Sequence, residues 1–209
     1  MPATYIALLR GVNVGGAKRV PMADFRALLA ELGYTHISTL LNSGNAVFEA
    51  ASGSGKPKLP AQTIAHEIAQ AIAKRLKIEV PVIVKTAREL TSIVADNTLA
   101  PRADEQAAAL SSDASRWLVA FAADAATLAG LAPIAALVTP PEKFLLGRQA
   151  AYLHCAGGVL ESKAGAALLG QAALAGRVIT TRNWATTLKL HALANALANG
   201  PADGLANGA

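Results

Sequence analysis

The segment Arg10-Gly11-Val12-Asn13-Val14-Gly15-Gly16-Ala17-Lys18-Arg19 joins three glycines to three cations within ten residues. Glycine lets backbone N–H groups approach a ligand without Cβ obstruction, and the cations add the charge an anion site needs. It is not the phosphate loop of nucleotide hydrolases. Gly11 and Gly16 have that spacing, but Ala17 stands where the lysine belongs, and Lys18-Arg19 bring no hydroxyl for magnesium. Nor does it read G-x-G-x-x-G. The same glycines would also serve a tight strand-to-helix connection with no ligand.

Asn42-Ser43-Gly44-Asn45 offers hydroxyl and amide groups that can orient a polar ligand, although these residue types are equally common in plain reversals. Thr180-Thr181-Arg182-Asn183-Trp184 reads as the opening of a helix, with a threonine cap and Arg182 and Asn183 in the first turn. Free N–H groups beside Arg182 suit a carboxylate or phosphate. A capped helix whose Arg182 makes only a surface ion pair is the competing reading. Spacing alone does not bring this third segment to the first two.

Other chemistry finds little support. His36, His66, His154 and His191 are scattered singly, so no metal site is expected. Cys155 is a lone thiol of the kind that usually fills a core, and Glu142 and Glu161 have no partner carboxylate. No side chain is marked as nucleophile or general base, and the sequence leaves both the cofactor and the question of an enzyme open.

The elements that must position these groups follow from periodicity. Tyr5 to Arg10 is a short apolar run. Pro21 to Leu32 carries Met22, Phe25, Leu28, Leu29 and Leu32 at helical spacing, and Ile37 to Leu41 is apolar again. Ala46-Val47-Phe48 follows a reversal at Ser43 and Gly44. After a Gly/Ser/Lys/Pro loop (51–60) come a helix from Ala61 to Leu76 and a strand from Val80 to Val84.

The order β-α-β-β-α-β is ferredoxin-like. Its right-handed crossover makes the first two strands parallel, so the 10–19 loop and the 42–45 hairpin leave the sheet at the same end. The remainder repeats the order less clearly. Strands are expected at Arg116 to Phe121, Lys143 to Leu146, Ala151 to His154 and Arg177 to Ile179. Helices are expected at Asp124 to Leu131 and Lys163 to Ala173, with a last one from after Thr180 to about Leu197. The expected fold is therefore α+β: two ferredoxin-like subdomains in a duplicated arrangement, 1–86 and 116–198. The connector 87–115 joins them and includes a short helix near Arg88 to Val94, and 199–209 is a fraying tail.

Composition narrows the setting. A hydrophobic share of 53% over 209 residues reflects 48 alanines more than large apolar side chains. The most apolar stretch, Val119 to Val138, is broken by Asp124, Gly130 and Pro133, so no membrane span is expected. One cysteine and a start that runs directly into a strand favour a cytoplasmic protein. The net charge of +5 suits an anionic small molecule or weak RNA attraction and selects neither.

Tyr5-Ile6-Ala7-Leu8-Leu9-Arg10-Gly11-Val12-Asn13-Val14-Gly15-Gly16, Pro21-Met22, Ser43-Gly44-Asn45-Ala46-Val47-Phe48 and Thr181-Arg182-Asn183-Trp184, in that order, resemble the bacterial domain-of-unknown-function family 1697. The resemblance runs from Tyr5 to about Leu190. It implies a small cytoplasmic α+β protein with ferredoxin-like subdomains and supplies no reaction. The chain departs from the family pattern at Asn42, where Gln is common, and at Ala185, where Asn is common.

The leading expectation is a cleft for a nucleotide-like or phosphorylated small molecule. Within it Arg10 and Lys18 supply charge, Gly15 and Gly16 supply backbone donors, and Ser43 and Asn45 orient the ligand. Asn13 belongs to the same loop, and Arg182 and Asn183 complete the site from the second half. Two alternatives stand beside it. One is an RNA-binding module with Tyr5 and Phe48 as stacking aromatics; the other is an oligomerising scaffold without a ligand. Oligomeric state is not fixed by the sequence.

Overall fold

The structure is a computed structural model, and it describes residues 3–15, 18–50, 59–100, 116–170 and 177–199. Gly16, most of the 51–60 loop, residues 101–115 of the connector and residues 200–209 of the tail lie outside the described residues.

The first half runs β1 (Thr4–Leu9), α1 (Met22–Glu31), β2 (Tyr34–Leu40), β3 (Asn45–Ala50), α2 (Ala61–Leu76), β4 (Val82–Thr86) and α3 (Ala87–Ala95). The second half holds β5 (Trp117–Ala122), α4 (Ala125–Ala129), a 3-10 helix (Ala132–Leu137), β6 (Lys143–Leu146) and β7 (Ala150–His154). It closes with α5 (Lys163–Leu169), β8 (Ile179–Asn183) and α6 (Trp184–Ala198). Among the described residues two four-stranded sheets result, ordered β2-β3-β1-β4 and β6-β7-β5-β8, with every pairing antiparallel.

β1 is buried along its whole length because both faces of its sheet are covered. Tyr5, Ala7 and Leu9 face α1 and α2, where Ile64, Ile68 and Ile72 repeat every four residues and present one stripe. Ile6 and Leu8 point the other way, into a core shared with Val119, Phe121 and Tyr152 of the second sheet. α3 and α6 fill that shared layer and pack on one another. The far face of the second sheet is closed by α4, the 3-10 helix and α5 over Leu118, Ala120 and Ile179.

Several boundaries move from their expected places for local reasons. A capping box starts α3: the Thr86 hydroxyl accepts from Glu89 N while the Glu89 carboxylate accepts from Thr86 N. That cap carries β4 on to Thr86. The expected 124–131 helix is cut to five residues, and Pro133 lies in the 3-10 turn that follows. The largest correction concerns the last strand. Thr180, Thr181 and Arg182 are not a helix start; they pair with Phe121, Ala120 and Val119 of β5. The helix opens three residues later, where Asn183 Oδ1 accepts from Thr186 N at 2.8 Å. Among the described residues, no helix is long and apolar enough to cross a membrane.

Candidate functional site

β1 and β2 both run antiparallel to β3, so they run parallel to one another and release their following loops at one end of the sheet. Leu9 N donates to Gly44 O at 2.8 Å, and Asn13 Nδ2 donates to Asn42 O. The turn depends on Gly44, whose φ is +74°; a Cβ there would lie 2.5 Å from Leu9 Cβ. Asn13 is itself left-handed at φ 57° and clamps its own loop. Its amide exchanges two 2.9 Å hydrogen bonds with the Val20 backbone, and its backbone N–H reaches Lys18 O at 2.8 Å.

The third segment joins these two through Arg182, which is 8% exposed. On β8 its side chain leaves the face opposite Ile179 and crosses to the first half. Nε donates to Asn45 Oδ1, and Nη1 donates to Thr180 Oγ1 and Thr181 O, both at 2.8 Å. Nη2 donates to Leu9 O at 2.8 Å and Ser43 O at 3.1 Å. Every N–H direction of the guanidinium is thus taken, and every acceptor is a neutral oxygen. Burial pulls the Arg182 pKa down to about 10, which still leaves it charged at neutral pH.

Arg182 is therefore a strut between the halves, with no N–H group left to offer a ligand directly. Asn45 is its fully buried counterpart, donating to Leu40 O and Ser43 Oγ at 2.9 Å each. Asn183 is spent as the α6 cap. Arg10 is half-buried, with Nη1 on Ile179 O at 2.5 Å and Nη2 on Gly170 O at 3.3 Å; burial lowers its pKa. Lys18 points away to Glu79 O at 2.7 Å. Gly15, at φ +62°, has open space where a Cβ would go.

Around this strut lies a cavity of about 570 Å³. Arg10, Gly11, Ser43, Arg182 and Asn183 line it, while Lys18 and Asn45 do not. Thr180, Thr181 and Thr186 add hydroxyls to its polar side. The sequence reading missed an apolar rim of Val14, Leu41 and Leu169, which are 73%, 54% and 48% exposed. Leu41 also has φ 56°, an uncommon conformation for leucine. Its position just before the Asn42 turn was the one available hint. Among the described residues no aspartate or glutamate lines the cavity, and the N-terminal end of α6 adds its partial positive charge.

The stacking surface required by the RNA reading is covered. Tyr5 and Phe48 are 1% and 0% exposed, in the core beneath α1 and α2.

The model of a family described as a protein of unknown function, DUF1697, matches residues 3–152. A solved structure described as that of a conserved bacterial protein from Streptococcus pneumoniae has a TM-score of 0.67 and 20% identity. The match covers 93% of this chain and 99% of that one. At that identity the likeness concerns the fold. No curated protein matches.

Proposed function

Because the chain belongs to the DUF1697 family, whose description carries no activity, we propose its function from the site alone: it binds a nucleotide-like or phosphorylated small molecule in the Arg182 cavity. One observation carries the reading. Among the described residues, a buried arginine with no carboxylate partner sits in the wall of a cavity that has no acidic lining residue. A unit anion about 6 Å from such a charge gains about 3 kcal/mol at an effective dielectric of about 20. Arg182 supplies field, Arg10 and Ser43 stand at the surface to meet the anionic group, and Val14, Leu41 and Leu169 offer apolar contact to the rest of the ligand. Lys18 serves only as nearby charge. Gly15 and Gly16 stay proposed as backbone donors.

We also infer that 1–86 and 116–198 are two ferredoxin-like units related by duplication, since the two sheets have the same strand order. The site then lies where the units meet.

The test is fluorimetric melting against inorganic phosphate, nucleotides and phosphorylated sugars, comparing wild type with Leu41→Asp and Arg10→Ala. Aspartate tolerates the left-handed backbone at position 41 and places a carboxylate on the rim, weakening binding about fivefold, or about 1 kcal/mol. A ligand-induced shift equal in all three proteins overturns the site, and so does a full panel with no shift.

A further inference from the structure

A second cleft between the halves, of about 370 Å³, shares no lining residue with the Arg182 cavity. Lys85 of β4 and Glu89 of α3 line it from one side; Asp124, Arg148 and Gln149 line it from the other. Lys85 is 8% exposed, although nothing in its strand demands a cation there. Among the described residues its ammonium makes no hydrogen bond and no ion pair closer than electrostatic range. Gln149 Oε1 is likewise buried with no hydrogen-bond partner among the described residues. Arg148 is engaged, donating to both Asp96 carboxylate oxygens at 2.8 and 3.1 Å.

Keeping an ammonium charged in such a place is costly, and the neutral amine avoids the cost. Desolvation lowers the Lys85 pKa, against the opposing pull of Glu89 and Asp124. A phosphate seated here would meet both of those carboxylates. A neutral carbonyl compound would not be repelled, and a buried, unpartnered amine is the group that reacts with one.

We propose that Lys85 is the amine of a carbonyl-binding site, condensing with a small hydroxylated aldehyde or ketone whose hydroxyl donates to Gln149 Oε1. The nitrogen lone pair attacks the carbonyl carbon and the C–N bond forms. The carbonyl oxygen takes the two amine hydrogens and leaves as water, and a C=N bond remains. Nothing is oxidised or reduced.

The experiment treats the full chain with glycolaldehyde and cyanoborohydride at about pH 7, where ordinary lysines are protonated, and maps alkylated lysines by peptide mass. Lys85 is expected to react several-fold faster than the exposed Lys74 and Lys163. Gln149→Leu is expected to remove that excess for glycolaldehyde and to retain it for propanal, which has no hydroxyl. Alkylation of Lys85 no faster than of the exposed lysines overturns the assignment. An excess unaffected by Gln149→Leu overturns the role of Gln149.

Discussion

Replacing Arg182 with methionine tests the joint between the halves. Methionine keeps much of the stem's apolar packing and removes all five N–H donors. Asn45 Oδ1, Thr180 Oγ1, Thr181 O, Leu9 O and Ser43 O then lose their charged partner. Hydrogen bonds to a charged group contribute about 2 kcal/mol each, so the five sum to about 10 kcal/mol gross. Removing a buried, carboxylate-free charge returns several kcal/mol of desolvation. Water entering from the cavity side can also reach Ser43 O and Thr181 O. The net expected loss is about 4 kcal/mol. With a urea m-value of about 2 kcal/mol/M, the unfolding midpoint drops by about 2 M while the slope stays the same. Arg182→Lys keeps the charge with three donors on a shorter reach, and it should recover about half of the loss. A methionine variant within about 1 kcal/mol of wild type would refute the strut, because it would mean the guanidinium bonds are worth no more than their desolvation.

Further outcomes follow from the same geometry. Gly44→Ala combines a left-handed φ of +74° with a 2.5 Å approach to Leu9 Cβ and should cost about 2–4 kcal/mol in urea unfolding. Gly15→Ala, at φ +62° with open space around it, should cost only about 1 kcal/mol; equal losses would disprove the packing argument. Tyr152 donates to Ile93 O at 2.7 Å, and burial raises its phenol pKa strongly. The folded state therefore holds that proton more tightly than the unfolded chain. The associated stability is complete below about pH 10 and is lost as the pH climbs beyond it. Urea midpoints measured from about pH 8 to 11 should fall in wild type and fall less steeply in Tyr152→Phe, which starts about 1 kcal/mol lower for want of the hydrogen bond.

What the sequence made legible was the part governed by local pattern. The Ile64, Ile68 and Ile72 stripe predicts α2 with its observed ends, since four-residue spacing has one helical interpretation. The parallel direction of β1 and β2 predicts that the 10–19 and 42–45 segments meet, because the handedness of the crossover leaves no other choice. Thr180-Thr181-Arg182 reads in the sequence as a helix start because a capping signature and a strand rich in β-branched residues look alike. Only pairing with β5, a tertiary fact, separates them. α6 was easy to find and hard to orient: it is apolar on several faces because it lies between two sheets.

The roles of the polar residues were the least legible, for a reason that bears on how the site works. Asn13, Asn45, Arg182 and Asn183 look like ligand groups in a sequence because amides and guanidinium can bind ligands, but backbone carbonyls and a helix end have first claim on them here. Holding three loops from distant parts of the chain in one place requires a dense set of directional bonds, and those bonds use up the residues that make the strings recognisable. What remains open toward the cavity is the apolar rim of Val14, Leu41 and Leu169, the Arg10 surface, the Ser43 and threonine hydroxyls, and the field of the buried charge. On this geometry the motif residues build the cavity and set its sign, and the proposed anion site leaves selection among ligands to the shape of the apolar part that meets the rim.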